Sequence, residues 1–372
     1  MDGNPLASAD WMEIVGHLPL GWREAADSHG LCVSRLDADG QDRCKLSNPE
    51  VLLRLVLHHV SNGSSLRMTT ALAHAAELVS VSPVALHKRM RVVAPWLSEM
   101  TAKLTDSATR FRAERWGGYR VFATDATTGT RPGASGTTLR VHYRLDLTTL
   151  QPQQVEMTSV SDGEMLRRFE LSKGDLDLLD RGYCNPHDLG YTRLCDSEVI
   201  VRFNRGTLPL LDARGRPLDI VPKVQRLKRP GRVKSWKASV ETPQGRLAVR
   251  VCAVRLKAEA AARAQDWMRR EANKPVTEAD LAWAHFLVVV TTVPEARLSA
   301  EQILELFRLR WQVELQIKRD KSIGDLDALP NFREDTIASW ICGKLLAQAL
   351  ARGVVSSVPF PPSGGLAAQH AA

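Results

Sequence analysis

The sequence predicts an α/β core interrupted by a β-rich basic insertion and preceded by an all-helical domain. Three observations carry this expectation. Residues up to about 117 read as helical. From residue 118 the pattern shortens to brief apolar or alternating runs. Between 205 and 284, Gly, Pro and Lys or Arg separate further β-type runs. At 372 residues the chain has room for two or three cored domains. The expected boundaries are 1–117 for the helical domain, 118–204 and 285–352 for the core, 205–284 for the insertion and 353–372 for a disordered tail.

Within the first segment, Asn48-Pro49-Glu50 supplies an N-cap, a proline at the first helical position and an acid in the first turn. Further on, Thr69–Leu78, the link Val79-Ser80-Val81 and a second helix opened by Ser82-Pro83 make a candidate helix-turn-helix over about 69–94. Its second helix carries His87, Lys88, Arg89 and Arg91, and the last three are candidate DNA contacts. A helical hairpin with a solvated basic face has the same pattern.

The core begins with Tyr119–Thr124, an apolar run ending at Asp125. Thr138–Leu147 and Gln153–Val160 alternate around a turn near Thr148-Thr149, as a hairpin does. A helix is expected around Gly163–Leu171, then a strand Leu176–Leu179 ending at Asp180. A helix near Asn185–Arg193 and a strand Val199–Phe203 follow. In the insertion, Lys223, Arg226, Lys228, Arg229, Arg232, Lys234 and Lys237 occur between Asp219 and Glu241 with no acid. Such a run is a solvated loop or, with Trp236 inside it, a track for a phosphate backbone. Phe286–Thr292 reads as a strand, Ser299 as a helix cap, and Thr336–Ala351 as a last helix. The tail beyond Arg352 has no charged residue.

The formal net charge of +8 and pI near 9.3 point to a polyanionic partner. No run of about 18 apolar residues is present, so no membrane role is expected. The amino terminus lacks a basic start and apolar core, which points to a cytoplasmic protein. Cys32, Cys44, Cys184, Cys195, Cys252 and Cys342 show no Cys-x-x-Cys spacing, which suits reduced thiols and disfavours zinc fingers.

The densest chemistry lies in Phe307-Arg308-Leu309-Arg310-Trp311-Gln312-Val313-Glu314, with Lys321 following. In an unbroken helix Phe307, Arg310, Glu314 and Lys321 fall within an arc of roughly 60°. Leu306, Leu309, Val313 and Ile317 form a neighbouring apolar stripe. One carboxylate flanked by two cations suits a metal-dependent enzyme acting on a phosphate backbone, and it is also a plain i,i+4 ion pair. This spacing resembles a motif of bacterial transposases of the insertion-sequence-four family, members of the DDE class. The resemblance implies a ribonuclease-H-like core, and the order of strands above agrees with one. It also implies two catalytic aspartates at strand ends, for which Asp125 and Asp180 stand in the right order, with Asp177 the main rival. Asp125, Asp180 and Glu314 would then be catalytic and would ligate two Mg²⁺ or Mn²⁺ ions, hard cations that suit oxygen donors.

By the same resemblance Arg310 and Lys321 contact DNA phosphates near the cut, and Phe307 stands where a tyrosine is more usual. Arg202, leaving a strand beside Asp180, is a further candidate phosphate contact. Phe286 or Trp283 could receive a flipped base, although both also read as core. The implied activity is cleavage and strand transfer at terminal inverted repeats by a protein acting on double-stranded DNA, at the bacterial nucleoid and as a homodimer when synapsed. The alternative is a decayed transposase that only binds DNA, a reading that Phe307 and the short carboxy terminus would fit.

Overall fold

The computed structural model describes residues 11–32, 45–106, 116–131, 133–271, 275–322, 324, 326, 329–330 and 333–357. Contacts divide them into two units. One holds the described residues of Met1–Ala108, Thr130–Gly136 and Arg319–Ala372; the other holds those of Thr109–Gly129 and Thr137–Lys318.

The first unit begins with six helices: α1 (Trp11–Gly16), α2 (Trp22–Ser28), α3 (Pro49–Asn62), α4 (Leu66–Ala75), α5 (Pro83–Met90) and α6 (Ala94–Asp106). The Asn48 side chain caps α3 by accepting from the Glu50 and Val51 amides, at 2.8 and 3.3 Å. Gly63 ends it at φ 60°, a conformation open to glycine. Ser65 and Ser82 cap α4 and α5 in the same manner. Leu46, Leu55, Ala73 and Leu86 form the small core that joins α3, α4 and α5. The helical pair expected from residue 69 therefore starts earlier, at Leu66.

The second unit is built on one eight-stranded sheet: β1 (Arg120–Gly129), β2 (Leu139–Asp146), β3 (Gln151–Ser159), β4 (Asp175–Leu179), β5 (Glu198–Arg202), β6 (Val233–Thr242), β7 (Gly245–Arg255) and β8 (Phe286–Thr291). Its order is β3-β2-β1-β4-β5-β8-β7-β6. β1, β2 and β3 pair antiparallel, while β1, β4 and β5 run parallel. A hairpin layer followed by parallel strands is the ribonuclease-H-like arrangement. α7 (Pro186–Leu194) connects β4 to β5, and its inner residues join an apolar core with Leu179, Val201, Val251 and Val290.

Two expectations need correction here. The helix expected around Gly163–Leu171 is only a 3₁₀ turn, Leu166–Arg168. Leu166 and Phe169 are buried three residues apart, and Arg168 between them turns outward to Glu156 at 3.3 Å, so no longer helical face exists to bury. The insertion is not a separate β-rich body either. It carries α8 (Val221–Gln225), α9 (Ala258–Glu271) and α10 (Glu278–Trp283), and its strands extend the main sheet because β7 pairs with β8 from Arg250 to Arg255.

After β8 come α11 (Ala300–Phe307), α12 (Trp311–Ser322) and α13 (Glu334–Ser357). Ser299 caps α11 through a reciprocal bond pair with Gln302. α13, expected within the core segment 285–352, belongs to the first unit instead. Its buried Ile337, Trp340, Ile341 and Leu346 pack toward α3 and α6, with Trp340 edge-on to His59 at 5.2 Å. It runs on to Ser357, into the stretch expected to be a tail; the remainder, from 358, lies outside the described residues. No helix among the described residues is long and apolar enough to cross a membrane.

Candidate active site

Strand register brings the two aspartates together. β1 pairs with β4 only as far as Thr124 opposite Leu179. Asp125 and Asp180 are the next residues on neighbouring strands, which lie about 4.8 Å apart. The expectation that β1 ends at Asp125 is incorrect: it continues to Gly129, held by β2 alone. What ends before Asp125 is the partnership with β4, which leaves Asp125 without a β4 neighbour.

The third acid arrives from the helical layer. The helix expected to run unbroken from Phe307 to Lys321 is interrupted by a 3₁₀ turn, Arg308–Arg310, between α11 and α12. Angular reckoning from Phe307 therefore fails across the turn. Glu314 sits in the first turn of α12 and Lys321 in its last. Phe307 is buried at 6% exposure with Ile303, Leu304 and Leu306, so it offers core packing and no surface to DNA.

Arg310 stands between two of the acids. One Nη donates to Asp125 Oδ2 at 3.3 Å and the other donates to Glu314 Oε1. Burial raises the Asp125 carboxyl to about 6; the Ala126 amide and Arg310 oppose the shift, and Asp180 and Glu314 add to it. Arg310 itself, although burial opposes its charge, is held above its ordinary value by Asp180, Glu314 and Asp125. All three acids thus act on one guanidinium. Arg202 lies in the same field: burial and Arg181 lower its pKa, while Asp180 and Glu314 pull it the other way.

Asp177, the rival, is spent on structure. Its carboxylate accepts from Arg144 Nε at 2.9 Å, from Arg144 Nη2 at 2.9 Å and from Thr124 Oγ1 at 3.0 Å, all buried. Asp175 accepts from Arg144 Nη2 at 2.8 Å and also pairs with Arg120. Reading the sequence missed Arg144. Its signal was an arginine two residues from His142 on an alternating strand that must lie beside a buried Asp-x-Asp. Glu164 was also missed: it crowds Gly182, and burial raises its pKa with Asp180 contributing.

The donor chemistry suits hard cations. Asp180 Oδ1 is buried and accepts no hydrogen bond, the kind of orphaned oxygen a cation would satisfy. As arranged, no three His, Cys, Asp or Glu among the described residues stand close enough to hold a metal ion. Arg310 bridges Asp125 and Glu314 in the position where charge compensation is needed.

Arg181, the residue after Asp180, lines a recess of about 270 Å³ together with Arg202, Arg263, Trp267, Trp283 and Phe286. Trp283 and Phe286 are both buried in the core. In the first unit, Lys88, Arg89 and Arg91 lie on or just after α5, and Arg91 pairs with Asp335 of α13 at 2.8 Å.

A ribonuclease-H-like sheet with two aspartates beside one another and a glutamate brought in by a later helix matches the arrangement expected of the DDE class. The family model and the two Escherichia coli relatives agree with that class. Residues 116–350 match the family model described as transposase DDE domain. The transposase for insertion sequence element IS421 of Escherichia coli is 30% identical over 371 residues, covering 95% of this chain and 96% of that protein. The InsL protein of insertion sequence element IS186A, from Escherichia coli strain K12, is 30% identical over 370 residues with the same coverage. A cryo-EM structure of the piggyBac transposase synaptic complex with hairpin DNA aligns at a TM-score of 0.41 and 10% identity, covering 95% of this chain and 75% of that one. The chain belongs to the DDE transposases of bacterial insertion sequences.

Proposed function

We propose that this transposase cuts DNA at the terminal inverted repeats of its element and joins the freed ends to a target by metal-dependent chemistry at Asp125, Asp180 and Glu314. The observation that carries the reading is the convergence of these three carboxylates on Arg310 at the end of the β1–β4 pairing. The three acids would hold two Mg²⁺ or Mn²⁺ ions, which lower the pKa of a water or 3′-hydroxyl and stabilise the attacking and leaving oxygens of an in-line displacement.

The chain's own residues do the rest. Arg310 keeps Asp125 and Glu314 facing one another, and a strand phosphate competes with those carboxylates for its guanidinium. Arg202 and Arg181, beside Asp180, hold the strand by charge. Lys321 extends the cationic face of α12. Lys88 and Arg89 on α5 serve a helix-turn-helix contact with the repeat; Arg91 contributes less because Asp335 already engages it. Two DNA ends must be brought together, so the acting form is a homodimer on double-stranded DNA, at the nucleoid.

The test incubates the protein with duplexes carrying the inverted repeats and with Mg²⁺ or Mn²⁺, alongside Asp125→Ala, Asp180→Ala and Glu314→Ala. The reading requires end cleavage by wild type and none by any variant. Absence of wild-type products, or cleavage by the triple variant, would defeat it. A shift of DNA mobility independent of all three acids, with no product, would mark a protein that only binds.

A further inference from the structure

The insertion holds a second cationic recess, of about 280 Å³, lined by Lys223, Arg226, Arg232 and Lys234 over Leu227 and Trp236. Three cations elsewhere in this unit are matched: Arg205 by Asp280, Arg216 by Asp212, Arg246 by Glu241. Among the described residues none of the four cations of this recess has a carboxylate partner. Four uncompensated charges around one hollow repel each other, and a polyanion is what relieves that repulsion.

Register places the hollow relative to the acids. Thr124 pairs with Leu179, Leu179 with Val201, Val201 with Val290, Val290 with Val251, and Val251 with Trp236. One row thus crosses the sheet from the residues just before Asp125 and Asp180 to Trp236. β6 runs opposite to β4, because three successive antiparallel pairings separate it from β5. Lys234, two residues before Trp236, therefore lies beyond that row on the same side as Asp180. Arg202, the residue after Val201, sits on the rim between them. Four strand spacings of about 4.8 Å put the recess about 19 Å from Asp180.

We propose that this rim is a single track for a DNA duplex. The cut phosphate lies at the acids, and backbone phosphates offset about 5 to 6 nucleotides along the duplex axis, on the strand that faces the rim there, lie in the recess between α8 and β6, at a rise of about 3.4 Å per nucleotide. Charge complementarity fixes the partner as a phosphate backbone. Trp236, partly buried against the core, lines the recess with the four cations, and contacts to phosphates carry no sequence information, so the contact reads charge and not sequence. The proposal rests on the reading of Asp125, Asp180 and Glu314 as the cutting site.

The experiment scans single methylphosphonates along both strands of an inverted-repeat duplex and measures gel-shift affinity without divalent metal. Wild type should weaken at positions about 5 to 6 nucleotides from the cleavage position. That sensitivity should vanish in Lys223→Gln/Arg226→Gln/Arg232→Gln/Lys234→Gln. The same variant should lower the slope of log affinity against log salt by about 3 to 4. A ruler independent of cleavage comes from Arg202→Gln. The positions it silences should lie about 4 nucleotides from those silenced by the quadruple variant, three strand spacings being about 14 Å. Identical scans for wild type and quadruple variant overturn the track, whether or not the protein cuts. A changed salt slope with an unchanged scan overturns it too, since the recess would then meet DNA away from the rim. Failure of cleavage with the Arg202 spacing intact counts against the cutting site and leaves the track standing. Because the wild-type scan needs no variant, misfolding of the quadruple variant does not remove the test.

Discussion

Replacing Arg144 by methionine removes the guanidinium while keeping a long stem over the Phe122 ring, where the charge now lies 3.6 Å from the centroid. Asp175 and Asp177 are fully buried, so neither can recover its lost partner from water. Asp177 would keep only the Thr124 hydroxyl, and Asp175 would keep Arg120 and the Ser172 amide. Deleting one partner of a buried ion pair costs about 3–5 kcal/mol, because the remaining charge is stranded. That range is expected for Arg144→Met, with most of the loss at Asp177. Since the chain has two units, the readout should be local: hydrogen exchange of β1 and β4 amides in a urea series. Neutralising the stranded acid in Arg144→Met/Asp177→Asn should recover roughly half of the loss. A drop under about 1 kcal/mol, or no recovery in the double variant, would show that Arg144 does not hold the strands on which Asp125 and Asp180 stand.

Three further outcomes follow from the site and its surroundings. Asp125→Asn should end cleavage yet stabilise the sheet unit by about 1–3 kcal/mol at pH 7.5. The native carboxyl is raised to about 6, so its ionisation penalty is absent below about 4 and complete above about 7; a pH series of unfolding midpoints would expose the opposite sign. His142, buried and held at about 4 by burial and by Arg168 and Arg140, stays neutral in the native state. The unfolded chain binds its proton from about 6.5 downward, so stability should fall by roughly 3 kcal/mol between pH 6.5 and 4. His142→Gln should lack that component, and superimposable wild-type and variant profiles would sink the assignment. Asp180→Asn should abolish the rise in melting temperature that millimolar Mn²⁺ gives wild type; an undiminished rise would place the metal elsewhere.

Much of this architecture was legible in the chain because strands here alternate plainly and helices begin with unambiguous caps. Asn48, Ser82 and Ser299 each cap the helix their sequence announces. The failures have physical sources. The 3₁₀ turn at Arg308–Arg310 uses residues with good α-helical propensity, so no local rule marks it. The placement of α13 with the amino-terminal helices depends on contacts nearly three hundred residues apart in sequence, which periodicity cannot see. The two strands of the insertion were recognisable, but a strand that joins the main sheet beside β8 and one that forms its own sheet have the same pattern. Arg310 was correctly singled out as a cation beside Glu314. Its second bond, to Asp125, needed the three-dimensional meeting of β1 with the turn.

The run Asp175-Leu176-Asp177-Leu178-Leu179-Asp180 shows why residue type alone could not separate the proposed ligand from its neighbours. Successive side chains on a strand alternate, so Asp175 and Asp177 share one face and meet the same arginine from β2. Their charge is consumed within the sheet, and their burial makes them anchors that fix the β1–β4 register. Asp180 comes after the strand has ended, where neither β2 nor Arg144 reaches it, and one of its oxygens is buried without a donor. Asp125 leaves its β4 partner at the same row. The charge that structure can absorb is thus absorbed one and two turns of pleat below the rim, and the charge left over is concentrated at it. Arg310 bonds two of the three remaining carboxylates and leaves Asp180 unbonded. The buried Asp180 oxygen without a donor is the group that a divalent cation at the proposed site would satisfy.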